Sequence, residues 1–241
     1  MKKKMTRFAK LTAVVAVLCL LPVAASANTI VQSLTFSMLL TNWTSITNPP
    51  AETPLGAILQ FDSNLGALDK VTIQFDSMVT GDMGLENKSA ASGNTITGTL
   101  SSLTQLFGPN GLFVQLNPSV QQIFSAPTFD GVIDFGGTSG ITYSDLASSV
   151  ISSTTTITSA GLLAAYQDVA PAQLSFFVQA LGASIATGGG NTASSFTTLA
   201  DANVTVTYDW HDVGVPEPVS LVLIGSGLLG LGILGRKRFS R

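Results

Sequence analysis

The sequence predicts an all-β fold: an antiparallel β-sandwich or jelly-roll-like domain, flanked by an N-terminal signal helix and a C-terminal transmembrane sorting helix. Three observations lead there. Several stretches alternate apolar and polar residues with period two, the pattern of a half-buried strand. Residues 28–213 hold 22 serines and 25 threonines, about a quarter of the segment; threonine suits strands and serine suits turns. Gly-rich clusters recur between the alternating stretches, as turns between many short strands require.

Taken in order, Ile30–Leu40 places Ile30, Gln32, Leu34, Phe36, Met38 and Leu40 on one side. Val71–Phe75 points three apolar residues one way and two polar ones the other. Thr95–Leu106, Leu112–Leu116, Val150–Thr158 and Leu174–Leu181 are further strand candidates. Asn203–Trp210 closes the series with Val204, Val206, Tyr208 and Trp210 on one face. Turn clusters at Ala91–Asn94, Phe107–Gly111, Gly136–Gly140 and Gly188–Asn191 separate them. Helix is expected only in two short pieces, Ser144–Val150 and Ala160–Tyr166, with Ser159 or Asp168 as nearby cap or turn residues. Three Phe-Asp pairs, at Phe61-Asp62, Phe75-Asp76 and Phe129-Asp130, read as strand ends. The ring anchors in the core, Asp bonds turn amides, and Gly66 supplies a positive φ after the first pair.

The chain has 241 residues, 45% hydrophobic and 10% charged, with a net charge of −3. So few charges exclude a disordered polyelectrolyte and a nucleic-acid binder. One Cys excludes an intrachain disulfide framework, and one His leaves little material for an imidazole metal site. A mean hydropathy of +0.42 assigns part of the apolar content to a membrane or a translocon.

The basic residues explain where. Lys2, Lys3, Lys4, Arg7 and Lys10 precede an apolar run, Leu11–Leu21, that ends at Pro22 and leads to Ala25-Ser26-Ala27. That order is a secretory signal peptide with cleavage after Ala27, small residues Ala25 and Ala27 fitting the cleavage site. The Sec translocon and a signal peptidase are the partners it implies. Cys19 lies inside the apolar run after Leu18, which rules out lipoprotein processing. At the other end, Val219–Leu234 carries no charge and Arg236, Lys237 and Arg238 follow it. Basic residues after a span predict a cytoplasmic C-terminus and a body on the outside. Three segments result: a signal peptide at 1–27, a secreted β domain at 28–213 and a tail at 214–241.

The tail resembles the PEP-CTERM sorting signal of Gram-negative bacteria. Pro216-Glu217-Pro218 supplies the motif, Val219–Gly235 the Gly-rich apolar helix and Arg236–Arg241 the basic end. The resemblance implies processing by an exosortase at the inner membrane, and then a place on the cell surface or in the matrix of a host that makes extracellular polysaccharide. Gly225-Ser226-Gly227-Leu228-Leu229-Gly230 inside the tail fits G-x-G-x-x-G, but no Asp or Glu follows Glu217 to complete a dinucleotide site. The body resembles the choice-of-anchor E domain along Phe61–Leu68, Lys70–Phe75, Val79–Asn87, Phe129–Tyr143, the Gly188–Asn191 turn and Val204–Tyr208. That family consists of secreted bacterial proteins with interchangeable C-terminal anchors; it implies architecture and destination and brings no active site.

Candidate chemistry in the body is confined to carboxylates. Asp130-Gly131-x-x-Asp134, with the carbonyl-rich Gly136–Gly140 loop, is the best local Ca²⁺ candidate, although it lacks EF-hand spacing. Turn capping is the alternative use of those acids. No G-x-S-x-G accompanies His211, and no carboxylate pair stands out as a glycosidase dyad. Trp43, Trp210, Tyr143, Tyr166 and Tyr208 serve either a sugar-stacking surface or core packing. The sequence expectation is therefore a non-enzymatic surface or matrix protein without a cofactor. A carbohydrate- or Ca²⁺-binding module is the alternative, and a secreted hydrolase ranks behind it. The body holds two lysines against thirteen carboxylates, a formal charge of −11. Such a domain repels anionic polymers unless a divalent cation bridges them.

Overall fold

In a computed structural model, residues 27–45, 57–90, 94–213 and 225–226 are described. Thr29–Trp210 forms one compact unit, to which the following description applies. Its strands are mostly antiparallel, as the alternation predicts. One sheet contains β1 (Ala27–Leu40), β4 (Ala67–Ser77), β5 (Val79–Asn87), β9 (Gly140–Ala147), β10 (Ile151–Ile157) and β14 (Thr192–His211), in the order β10-β4-β14-β5-β9 with β1 also on β14. The second contains β2 (Trp43–Thr44), β6 (Asn94–Gly108), β7 (Leu112–Leu116), β8 (Ser119–Ala126), β12 (Phe177–Gly182) and β13 (Ile185–Gly188). Its order is β13-β6-β12-β2, with β7 and β8 also on β6. A small parallel pair joins β3 (Phe61–Asp62) to β11 (Gln167–Asp168). Among the described residues of this unit, α-helix is present as a single turn, α1 (Ala160–Leu163), which continues into a 3-10 turn at Ala164–Tyr166.

The two longest strands, β6 and β14, change partners midway. β6 pairs with β8 over Asn94–Ser101 and with β7 over Thr104–Gly108. On its other side it pairs with β13 over Ile96–Thr99 and with β12 over Ser102–Phe107. β14 pairs with β5 over Thr192–Ala200. Beyond that point it meets β4, where Lys70 forms an ion pair with Asp209 at 2.9 Å. The shorter strands therefore all break at one level, which forms a waist. Two cores result. Val71, Ile73, Phe75, Leu106, Val204, Val206 and Tyr208 belong to the larger one; Val79, Met83, Leu85, Ile96, Leu100 and Ala126 form the smaller.

Small polar side chains fill the waist. The buried Ser77 hydroxyl reaches the Asp201 carbonyl at 2.8 Å and lies 3.0 Å from Thr104 Oγ1, which lies 3.1 Å from Ser102 Oγ. The Val79 amide donates to Ser148 Oγ, and the Ser148 amide to the Val79 carbonyl. In the gap between β12 and β13, Ser184 Oγ accepts the Ser101 amide of β6 and donates to the Ser101 carbonyl. At Met78 the ladder is completed by a side chain: the Met78 amide donates to Asp201 Oδ1 at 2.7 Å. Unpaired, these buried groups would be costly; the bonds made by Asp201, Ser148 and Ser184 close the breaks between β4 and β5, β9 and β10, and β12 and β13.

Most predicted strands are present, with differences at the margins. Ser144–Val150 is not helix; through Ala147 it belongs to β9, whose Tyr143, Thr142 and Ile141 pair with Met83, Gly84 and Leu85. Pairing along an exposed edge of β5 outweighs a weak helical preference, and Asp145 takes a left-handed φ of 55° where the register shifts. Ala160–Tyr166 is helical, but Ser159 caps it through its carbonyl and not its side chain. Leu40 faces outward, because alternation slips near the end of β1 and Leu39 packs inward instead. Gly66 does not adopt positive φ; the turn is made by Asp62, whose carboxylate accepts the Asn64 amide. Phe75-Asp76 lies within β4 and not at a turn.

Burial raises the Asp201 carboxyl, with the Met78 amide pulling the other way. A folded value above the unfolded one favours the protonated form, so that contribution is complete at acid pH and lost as pH rises through the folded value. Asp201→Asn removes that loss and keeps an oxygen for the Met78 amide. It is expected to melt at or above the native temperature at pH 7, whereas Asp201→Ala loses about 1–3 kcal/mol by orphaning the amide. Thermal melts of both variants check this; an Asn variant that falls as far as the Ala variant contradicts it.

Candidate functional site

The segment that sequence analysis singled out for Ca²⁺ folds over the outward face of β5. Strand alternation turns Met83 and Leu85 into the smaller core and Gly84 and Glu86 away from it. The loop before β9 then covers that second face. The Phe135 ring lies on Gly84, where a Cβ would come within 2.7 Å of it. Gly140 approaches Glu86 so closely that a Cβ there would stand 2.2 Å from Oε2. Glu86 is 0% exposed as a result.

A buried carboxylate needs donors, and the loop supplies them. The Phe135 amide donates to Glu86 Oε2 at 2.9 Å and the Ser139 hydroxyl to Oε1 at 2.5 Å. Phe135 itself has φ of 54°, a conformation costly for an aromatic residue that these contacts hold in place. The neighbouring Asn87, also buried, donates to the Pro127 carbonyl at 2.6 Å and accepts the Ser89 amide at 3.0 Å. Its backbone amide donates to the Ser139 carbonyl.

Asp130 and Asp134 do lie in this one loop. Asp130 Oδ1 accepts the Val132 amide at 3.1 Å and Oδ2 accepts the Thr138 amide at 3.2 Å. Asp134 Oδ1 accepts the Gly136 amide at 2.8 Å. The Val132 amide, with the Thr138 and Ser139 bonds, holds the Asp130 carboxyl below its ordinary value. A calcium ion binding there would compete with these bonds. Among the described residues no three His, Cys, Asp or Glu side chains converge as a metal's ligand set. The turn-capping use of these acids is the one the geometry displays.

Other acids also accept hydrogen bonds from the protein, Asp168 locally and Asp82 and Asp209 from distant segments. Asp168 Oδ1 accepts the Ala170 amide, Asp82 Oδ1 the Asp145 amide, and Asp209 the Thr29 hydroxyl. Of the aromatic residues, Trp43, Tyr166 and Tyr208 are core, and Trp43 stacks on Phe36 at 5.5 Å. Tyr143 and Trp210 pack partly buried against the two cores. The indole N–H groups of Trp43 and Trp210 are buried without a hydrogen-bond partner. His211 ends β14. Ala27 opens β1, while Ala25, Pro216, Glu217, Pro218, Arg236, Lys237 and Arg238 lie outside the described residues. Among the described residues no helix is long and apolar enough to cross a membrane.

Glu86 was not singled out by the sequence. Its partners come from a segment about fifty residues away, so no local spacing marks it. The one available signal is a carboxylate set into a run of otherwise apolar and glycine residues, Met83-Gly84-Leu85-Glu86.

No family model matches the chain, and no curated protein matches it. Among solved structures it has a faint likeness to a VP2 mutant of infectious bursal disease virus in derived T=1 particles, at 12% identity and a TM-score of 0.17, over 76% of this chain and 36% of that one. A second likeness is to the VP2 subviral particle of the same virus, at 14% identity and a TM-score of 0.14, over 86% of this chain and 50% of that one. The chain thus spans half or less of those proteins, and likenesses at this level carry nothing about its role.

Two outcomes test the loop. Glu86→Gln keeps one acceptor oxygen, for the Phe135 amide, and sets its NH2 against the Ser139 hydroxyl, which can turn to accept it; it is expected to lose less stability than Glu86→Ala, which loses about 1–3 kcal/mol per orphaned donor in chemical denaturation. Because the Asp130 carboxyl is held low, its stabilisation is full above the unfolded value and lost as pH falls through the folded one. The amide shifts of Val132 and Thr138 should therefore titrate with a midpoint below that of an ordinary aspartate; a midpoint at or above the ordinary value contradicts the bonds described.

Proposed function

We propose that the chain is an exported, non-enzymatic surface or extracellular-matrix protein of a Gram-negative bacterium, processed at its PEP-CTERM tail by an exosortase. The observation that carries this is the fixed order of Pro216-Glu217-Pro218, an uncharged run over Val219–Leu234 and Arg236-Lys237-Arg238. A basic, apolar and small-residue order at the other end asks for export through the Sec translocon. Both charge asymmetries put the body on the same side of the membrane.

The fold supports the reading in one respect. Cuts after Ala27 and near Pro216 would fall outside the compact unit Thr29–Trp210. Within that unit the first and last strands are neighbours, tied by the Thr29 hydroxyl on Asp209 Oδ1 at 3.0 Å. The chain therefore enters and leaves the body at one edge, and both ends can be trimmed without opening a core. In this scheme Pro216–Pro218 is the recognition motif, the apolar run retains the precursor in the inner membrane, and the basic end orients it. The absence of an enzyme assignment rests on the sequence, where a single His and no nucleophile motif offer little catalytic material.

Intact-mass spectrometry of the exported form is expected to show a chain beginning at Asn28 and lacking the residues that follow the Pro-Glu-Pro motif. Secreted protein that still carries Arg241 contradicts the proposal.

A further inference from the structure

The charged residues on the strands of the two main sheets are confined to one of them. Every charged residue on a main-sheet strand lies in the first sheet: Asp69, Lys70 and Asp76 on β4, Asp82 and Glu86 on β5, Asp145 on β9, Asp201 and Asp209 on β14. The strands of the second sheet carry none.

The outer face of that uncharged sheet has two chemically pure rows. On β6 the even-numbered residues from Ile96 to Leu106 face the interior, so Gln105 and Phe107 face out. Register places Phe113 and Phe177 on either side of Phe107, and Gln115 and Gln179 on either side of Gln105. The rings are in contact, with centroids 5.1 Å and 5.3 Å from that of Phe107. The amides are linked as well: Gln105 Nε2 donates to Gln115 Oε1 at 2.8 Å, and Gln179 Nε2 donates to Gln105 Oε1. Strand spacing makes each row about 10 Å long and sets the two rows about 7 Å apart.

We propose that these rows bind a neutral β-linked glucan. A pyranose with equatorial hydroxyls has apolar C–H faces and a polar rim. The Phe row meets the first and the Gln row the second, with amide donors and acceptors left over after the ladder bonds are made. The ladder fixes the amide planes before the ligand arrives, which lowers the cost of ordering them. Charge selects the polymer class: a body at −11 repels an anionic polysaccharide, while a neutral chain approaches the one uncharged sheet freely. A second copy of the protein fits less well. Phe113 is 53% exposed but Phe107 and Phe177 are only partly so. Three such rings offer far less apolar area than the ~800 Å² each partner buries in a standard protein interface. The proposal concerns the body alone, so a failure of tail processing would leave it standing.

The test is native affinity electrophoresis of the full chain in a zwitterionic, sugar-free detergent, with hydroxyethylcellulose as the neutral β-glucan and alginate as the anionic control. Retardation by hydroxyethylcellulose and none by alginate is expected. Phe113→Ala and Gln115→Ala, at the open ends of their rows, should each weaken retardation about tenfold with unchanged melting. Asp145→Asn on the first sheet should leave it unchanged. Absence of retardation by hydroxyethylcellulose overturns the proposal, as does retardation that survives both row variants. A dimer in light scattering that Phe113→Ala dissolves, with retardation absent, assigns the rows to self-association instead.

Discussion

The buried hydroxyl chain at the waist is the constraint on which the body depends. Ser77, Thr104 and Ser102 are fully buried and belong to neither apolar core. They are there because four short strand pairs end at that level: β4 and β5, β9 and β10, β7 and β8, β12 and β13. The breaks between β4 and β5, β9 and β10, and β12 and β13 are closed by the side chains of Asp201, Ser148 and Ser184, and that between β7 and β8 by the Ser102 amide on the Pro118 carbonyl. β6 and β14 run through the waist, so neither core can open without disturbing a strand that also lines the other. The serine and threonine content that first suggested turns and strands is partly spent here, inside the molecule.

A second buried polar centre governs the first sheet's outer face. Glu86 would point to solvent if strand alternation alone decided, yet the segment from Pro127 to Gly140 closes over it and meets it with two donors. The three acids of this region thus hold a loop in shape. With Lys70, Asp209 and the other charged strand residues, they place the charge of the two main sheets in the first sheet. The second sheet is left with uncharged strands. One fold therefore presents two surfaces of different character, and the first and last strands of the body meet where Thr29 bonds Asp209.

Where side chains alternate simply, the sequence was readable. Val71–Phe75 and Val204–Tyr208 show core residues at every second position, and Leu112–Leu116 has the bounds of its strand because turn residues flank it on both sides. β5 carried no such signal. Its outward positions, Gly84 and Glu86, are covered by a distant loop, so the polar half of the pattern is replaced by a glycine that makes room for Phe135 and a carboxylate that holds it. β9 was misread as partly helical since its pairing partner β5 was itself unmarked. The three phenylalanines of the outer row were hidden for the opposite reason: a ring beside core residues reads as core, and only the register of β6 with β7 and β12 turns it outward. Of the candidate site, Asp130 and Asp134 were found from local spacing, whereas Glu86 required contacts that no local pattern encodes.

In the proposed function, the body is a passenger and the two ends are its address. The body is closed by its own hydrogen bonds, with both termini at one edge, and the tail carries the motif, the apolar run and the basic stop. The most direct measurement is fractionation of cells expressing the full chain or a chain lacking Pro216–Arg241. The full chain should reach the cell surface or the extracellular matrix, while the truncated chain should be exported and remain in the periplasm. The same distribution for both would contradict sorting by the tail.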